Sequence, residues 1–349
     1  MKTVSVGVVG AAGYVGGELL RMLLQHPNVE VTCVTSRAHE GEFVYRVHPN
    51  LRGYTNLKFV KPDVSILSEK CDIVFSAAPH GAMLKQTKEL LDTGLTVIDL
   101  SADYRLKDPS KYVKYYGFEH PYPELLEKSV YGLPELHRDE IKKAKLVACP
   151  GCTATAAILS LAPLAKLIDS EVIVVDAMEG SSARGASPSQ ASHHPERSNV
   201  VRPYKPVGHR HTAEIEQELK FIGKKDFKVA LSTIAVDIVR GILTISHVFA
   251  DVDEKSIWRS FREFYRNEPF VIILRDYKAK YRLPDPKIAV GTNRCYVGFE
   301  VDKDYGRVVT LAAIDNLIKG AAGNAIQSLN IILGVDERTA LDWIGYHPI

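Results

Sequence analysis

The chain has 349 residues, 46% of them hydrophobic and 25% charged, ordinary globular proportions that exclude a disordered, collagen-like or disulfide-scaffold protein. Its 44 Lys and Arg against 42 Asp and Glu leave a formal charge of +2, far short of the field a general nucleic-acid binder needs. No apolar window reaches about 18 residues, no signal segment follows Met1, and Cys33, Cys71, Cys149, Cys152 and Cys295 lack a framework spacing, so a cytoplasmic protein of roughly two domains, with no membrane partner, is expected.

Val4 to Val9 is a short apolar run closed by Gly10. Tyr14 to His26 then carries Leu19, Leu20, Leu23 and Leu24 at helical spacing, with Pro27 just beyond. Val29 to Thr35, Asp72 to Ala77 and Thr96 to Leu100 read as strands, and His80 to Asp92 as a helix. This alternation predicts an α/β fold whose first 150 residues or so form a Rossmann-type, parallel, doubly wound sheet. Beyond it, Thr153 to Leu167 reads as helix and Glu171 to Ala177 as strand, while Ser181 to His211 holds four prolines and no sustained period. Apolar runs at Val229 to Val236, at Gly241 to Ala250 and on both sides of Asp302 to Gly306 predict an α+β domain, 151–315, with a mixed or antiparallel sheet. A helical stripe through Leu317, Ala321, Ala325, Leu329 and Leu333 predicts a C-terminal helix, about 316–349, that completes the first domain.

The turn Gly10, Ala11, Ala12, Gly13, Tyr14, Val15, Gly16 lies between the first strand and helix. Glycines there let the backbone turn sharply and approach a pyrophosphate, with the free N–H groups of the helix N-terminus facing it. A glycine turn kept only for packing is the plain alternative. The second strand ends Thr35, Ser36, Arg37 without the acid that an NAD site usually carries, and Glu40 falls in the loop beyond. Ser36 and Arg37 therefore point to the 2′-phosphate of NADP, unless Arg37 is merely a solvated cation.

Lys145 to Ala148 leads through Cys149, Pro150, Gly151 and Cys152 into the helix opening at Thr153. A thiol at a helix N-terminus has its thiolate stabilised by the dipole and the unpaired amides, which makes Cys152 a candidate nucleophile. The CxxC spacing also fits a disulfide redox pair. Zinc would need two further ligands, and with no second CxxC no metal is expected.

The glycine turn, the sequence Pro150, Gly151, Cys152, Thr153, Ala154, Thr155 and the segment His209, Arg210, His211, Thr212, Ala213, Glu214, Ile215 resemble the N-acetyl-gamma-glutamyl-phosphate reductases. His48, Pro49, Asn50, Leu51, Arg52, Gly53 and the run Ala191 to Arg197 are more similar to the branch of lysine biosynthesis that reduces 2-aminoadipate 6-phosphate carried on the acidic protein LysW. The resemblance extends through Ala313, Ile314, Asp315, Asn316. It implies that Cys152 attacks an acyl phosphate and that NADPH reduces the thioester to an aldehyde, with His209 as acid or base and His211 orienting substrate. It also implies Asn316 near the nicotinamide, an N-cap of the last helix being the plain alternative. A role in arginine as well as lysine synthesis, and a homodimer or homotetramer, are further expectations.

From Arg184 to His211 stand five cations, Arg184, Arg197, Arg202, Lys205 and Arg210, and four histidines, His193, His194, His209 and His211, against one acid, Glu196. Concentrated positive charge in an otherwise neutral chain suits an anionic substrate or carrier tail, with Arg184, His193, His194 and Arg197 as the candidate contacts; a solvated basic loop is the alternative. Two other functions compete with a reductase: a noncatalytic NADP-binding sensor, which leaves Cys152 idle, and a thiol redox protein, which leaves the cofactor turn idle. Within the reductases, the N-acetylglutamyl branch is the nearest rival.

Overall fold

The computed structural model describes residues 3–348 and shows two compact units, Met1–Pro150 with Ala321–Asp342 and Gly151–Gly320 with Trp343–Ile349. The first holds six strands, β1 (Val4–Val9), β2 (Val29–Val34), β3 (Ile73–Ser76), β4 (Thr96–Asp99), β5 (Val130–Tyr131) and β6 (Leu146–Ala148). They pair in parallel throughout, in the order β2-β1-β3-β4-β6-β5. Every residue of β3 and β4 is buried, as expected of parallel strands covered on both faces, so they show no alternation of buried and exposed positions. The first crossover goes to one side of β1 and the next strand returns on the other, so the topological switch point lies at the carboxyl end of β1. The helix Tyr14–Leu23 follows, burying Leu19, Leu20, Met22 and Leu23. It stops short of His26: Pro27 cannot continue it, and the amides of Gln25 and His26 turn back to the carbonyls of Met22 and Leu23 in tighter i→i−3 bonds.

The expected C-terminal helix is shorter and differently assigned. A π-helical turn, Ile318–Ala322, precedes an α-helix over Gly323–Leu333 only. Two contacts fasten this segment within the first unit, Asn330 to His26 at 2.7 Å and Glu337 to Arg138 at 2.7 Å. Residues 316–320 and 343–348 group instead with the second unit, where the side chains of Asp315 and Asn316 bind loops.

The second unit holds β7 (Val172–Glu179), β8 (Val201–Lys205), β9 (Lys228–Val236), β10 (Ile242–Phe249), β11 (Val271–Ile273), β12 (Cys295–Asp302) and β13 (Arg307–Ile314), in the order β11-β12-β13-β10-β7-β9-β8. The sheet is mixed: β7 and β9 run parallel, as do β11 and β12, and the other pairs are antiparallel. Strict alternation in β7 buries Ile173, Val175, Ala177 and Glu179 on one face. The helix Cys152–Leu161 packs against β10 and β13, and Thr153 through Leu161 are all buried. A helix apolar all round belongs in a core. The stretch from Ser181 to His211 is more ordered than its prolines suggest: besides short helical turns it contributes β8, whose Pro203 is tolerated because the strand lies at the sheet edge.

Candidate active site

At the switch point the three glycines of the first turn do different work. Gly10 has φ +72°, and a Cβ there would lie 2.6 Å from the Ala77 carbonyl oxygen. A Cβ at Gly16 would lie 2.6 Å from Ala11 Cα, so this glycine lets the helix close on the turn. At Gly13 the nearest atom to a Cβ would be the Gly10 oxygen at 3.7 Å, which leaves the backbone open to an approaching group. No side chain caps the helix, and the amides of Ala12, Tyr14 and Val15 find no acceptor among the described residues. One glycine for the turn, one for close approach and one for helix packing, ahead of free N–H donors, is the arrangement a dinucleotide pyrophosphate requires. The Ala11 N–H donates to the Thr35 carbonyl at 3.0 Å, which brings the end of β2 beside the turn. Ser36 is buried there and Arg37 exposed. The nearest acid, Glu40, pairs with Lys61 at 3.1 Å.

In the same unit, Arg105 Nε donates to the Cys149 carbonyl at 2.7 Å and Nη2 to the Leu100 carbonyl at 2.9 Å, fixing the strand end that leads to the elbow. Burial and the nearby Asp99 carboxylate push Asp103 up to about 7. The Cys149 thiol is raised as well, by complete burial and then by Asp99, so it is the inert cysteine of the two.

Cys152 occupies the first position of its helix, with Gly151 as N-cap. Glu214 lies one turn into the helix His211–Gly223 and has no exposed surface. Its Oε2 accepts the Gly151 N–H at 2.9 Å, which pins the elbow from a distant helix. Gly151 has an ordinary φ of −67°, yet a Cβ there would lie 2.3 Å from His211 Nε2. The glycine is thus present to seat the imidazole. Gly320 plays the same part for the nucleophile, since its Cβ would lie 2.7 Å from that of Cys152.

His211 Nε2 stands 3.9 Å from Glu214 Oε1. His209 meets His211 edge to face at 4.6 Å between ring centres, and its Nδ1 accepts the His211 backbone N–H at 3.2 Å. That bond places the His209 proton on Nε2. Burial, with Arg210 and Lys205 nearby, lowers His209 to about 4, so its ring is neutral at physiological pH.

A second carboxylate, Glu179 at the end of β7, accepts a bond from Thr153 Oγ1, next to the nucleophile, and one from the Tyr204 hydroxyl at 2.5 Å. Burial raises its pKa against these two bonds. The alternation of β7 carries the signal for Glu179, an acid at a core-facing position. Glu214 gives no comparable local sign.

In the second unit Cys152 directly follows the glycine against which His211 is seated, and His209 packs on His211. The loop cations behave less uniformly. Arg184, His193 and His194 are exposed, and Arg184 shares with Glu196 and Arg202 a shallow cleft of about 440 Å³. Arg197, expected to face a ligand, instead turns inward: its Nη2 donates to the carbonyls of Glu179 at 2.9 Å and Val236 at 3.0 Å, tying the ends of β7 and β9. Asn316 is no N-cap. Its Oδ1 accepts the Gly241 N–H at 2.8 Å and its Nδ2 donates to Ser182 Oγ at 2.9 Å, while Asp315 binds the Leu317 amide. None of the five cysteines is in a disulfide among the described residues. Among the described residues no group of three or more His, Cys, Asp or Glu is placed to hold a metal, and no helix is long and apolar enough to cross a membrane.

Residues 5–144 match the semialdehyde dehydrogenase NAD binding domain, and residues 152–316 the semialdehyde dehydrogenase dimerisation domain. Among solved structures, aspartate semialdehyde dehydrogenase II from Vibrio cholerae superposes with a TM-score of 0.72, covering 95% of this chain and 99% of that one at 17% identity, a likeness of fold alone. At the level of sequence, the LysW-L-2-aminoadipate/LysW-L-glutamate phosphate reductase of Saccharolobus solfataricus is 49% identical over 349 residues, 99% of either chain. A relative from Nitrosopumilus maritimus that carries this name provisionally is 53% identical over 348 residues, again 99% of each. With half of its residues shared end to end, the chain belongs to the family of LysW-L-2-aminoadipate/LysW-L-glutamate phosphate reductases, built on the semialdehyde dehydrogenase fold.

Proposed function

We propose that this protein reduces the acyl phosphate of LysW-bound 2-aminoadipate, and that of LysW-bound glutamate, to the semialdehyde with NADPH, serving lysine and arginine synthesis in the cytoplasm. The observation that carries the reading is Cys152 at a helix N-terminus with an imidazole seated against its N-cap and a buried carboxylate behind both. Cys152 Sγ attacks the acyl carbon, the C–S bond forms, the C–O bond to phosphate breaks, and inorganic phosphate leaves a thioester. When bound, the nicotinamide supplies the hydride that turns the thioester into an aldehyde and returns the thiolate.

The two histidines divide the proton work differently from the sequence-based expectation. Taking the thiol proton creates an imidazolium, which the nearby Glu214 carboxylate favours at His211 and which burial and two cations oppose at His209. We therefore assign the base to His211. His209, with its proton on Nε2, is the donor to the developing oxyanion.

For the cofactor, Ser36 and Arg37 are the 2′-phosphate ligands, an assignment supported by the absence of an acid at the strand tip and by the pairing of Glu40 with Lys61. Asn316 is kept as a cofactor-side residue that acts by fixing the loops at 182 and 241. Arg184, His193 and His194 form the exposed rim for the acidic carrier, with Arg184 supplying its positive charge. Self-association belongs to the second unit, where Val174, Met178, Ile234, Leu243, Ile245 and Val309 leave one sheet face half-exposed.

The test is to assay both carrier-bound acyl phosphates and N-acetylglutamyl phosphate side by side, following NADPH oxidation and phosphate release. Turnover of the carrier-bound pair with little reaction of the N-acetylated compound is expected. A preference for the N-acetylated compound would return the chain to the arginine branch.

A further inference from the structure

The segment His48 to Gly53 has no part in the chemistry above, yet His48 reaches the cofactor turn. It ends the short helix Val44–Val47, and its Nε2 lies 2.8 Å from the Ala11 carbonyl oxygen. A carbonyl can only accept, so Nε2 carries the proton and donates it. The ring lies over Gly17: a Cβ there would come within 2.7 Å of both Cε1 and Nδ1. Gly17 lies inside the helix Tyr14–Leu23 and outside the positive-φ glycines, so its backbone does not require glycine. A glycine inside a helix costs about 1 kcal/mol relative to alanine, and what it provides here is room for the imidazole.

We infer that His48 is a positioning residue for the dinucleotide turn, holding the Ala11 carbonyl so that the Ala12 amide faces the pyrophosphate. Across a planar trans peptide the C=O and the next N–H point in opposite directions, so fixing one fixes the other. Ala11 is thereby held at both ends, its N–H by the Thr35 carbonyl at 3.0 Å and its C=O by His48. The Ala12 N–H, by contrast, has no acceptor among the described residues and is left for the ligand. Burial lowers the pKa of His48, so the imidazole does not place a second positive charge there at neutral pH. The inference rests on the reading of this turn as the dinucleotide site and adds the side chain that preorganises it.

The experiment titrates the full-length chain, three single variants and one double variant, His48→Leu with Gly17→Ala, with NADPH by fluorescence, and with 2′-AMP, which carries the adenosine end without the pyrophosphate, by calorimetry. His48→Leu keeps bulk but loses the donor; His48→Gln keeps a donor at similar reach; Gly17→Ala displaces the ring. His48→Leu and Gly17→Ala are each expected to weaken NADPH binding about tenfold, to leave 2′-AMP binding unchanged, and to be no worse in combination. His48→Gln is expected to restore NADPH affinity to within about threefold of the parent, a rescue that a merely space-filling role would not give. Unchanged NADPH affinity in His48→Leu, or equal loss of both ligands without rescue by Gln, would overturn the positioning role. Failure of the parent to bind NADPH would overturn the dinucleotide reading itself, a distinguishable result.

Discussion

Replacing Gly151 by alanine isolates the geometry at the elbow. The φ and ψ of Gly151, −67° and 145°, are open to alanine, so no backbone strain enters. The added methyl would stand 2.3 Å from His211 Nε2 and 2.6 Å from its Cδ2, against an ordinary contact of about 3.5 to 4 Å. The imidazole must move by roughly 1 Å or more, and a displacement of that size in a reacting group costs on the order of 100-fold, or about 2.7 kcal/mol of barrier. Overpacking should cost about 1 to 3 kcal/mol of stability, which leaves the protein folded at 25 °C. The assay is kcat/KM for the carrier-bound acyl phosphate in a cycle with His211→Ala. If the methyl acts through His211, Gly151→Ala is silent once the imidazole is gone. Full activity of Gly151→Ala, or strictly additive losses in the double variant, would refute the seating of His211 against the elbow.

His209 is neutral in the fold down to about pH 4, whereas a free imidazole protonates near 6.5. The unfolded chain therefore binds more protons between these values, and stability falls as pH drops from about 6.5 to 4, by about 3 kcal/mol at the lower end. Because His26, His48 and His120 are also lowered, the measurement is the difference in urea midpoint between parent and His209→Asn across that range; parallel curves would contradict it. Arg37→Ala should cut the preference for NADPH over NADH by roughly 10- to 100-fold, the worth of one charge-assisted contact, and equal efficiency with both cofactors in the parent would remove the basis for it. Arg184→Glu should raise KM for the carrier-bound substrate steeply at low salt and less at high salt, sparing a short N-acetylated analogue, since rim charges act on association and are screened over about 10 Å at 0.1 M; equal losses on both substrates would contradict carrier docking.

What the sequence made legible was decided locally. The glycine turn and the elbow are conformational demands of single residues, so Gly10, Gly13, Gly16 and Cys152 could be found by position alone, and the parallel sheet by its buried β-branched runs. What escaped depends on long-range contacts. Glu214 reaches Gly151 across 63 residues and Arg105 reaches Cys149 across 44. Arg197 sits in a basic, proline-containing run that reads as a rim, yet the carbonyls of Glu179 and Val236 turn its guanidinium inward. β8 was hidden by Pro203, which an edge strand can hold and a central one cannot. The helix Glu254–Tyr265 lies outside the expected elements, although Asp253 caps it through the Ser256 amide.

The most direct measurement of the Cys152 thioester omits the cofactor. Enzyme mixed with the carrier-bound acyl phosphate in the absence of NADPH should release one phosphate per active site in a burst and gain the mass of the acylated carrier on the peptide containing Cys152. Adding NADPH should then discharge that adduct as aldehyde. Cys152→Ala should show neither burst nor adduct, and Cys149→Ala, whose thiol is fully buried, should show both. Aldehyde formation by the parent with no burst and no covalent adduct, or an adduct on Cys149, would contradict catalysis through Cys152.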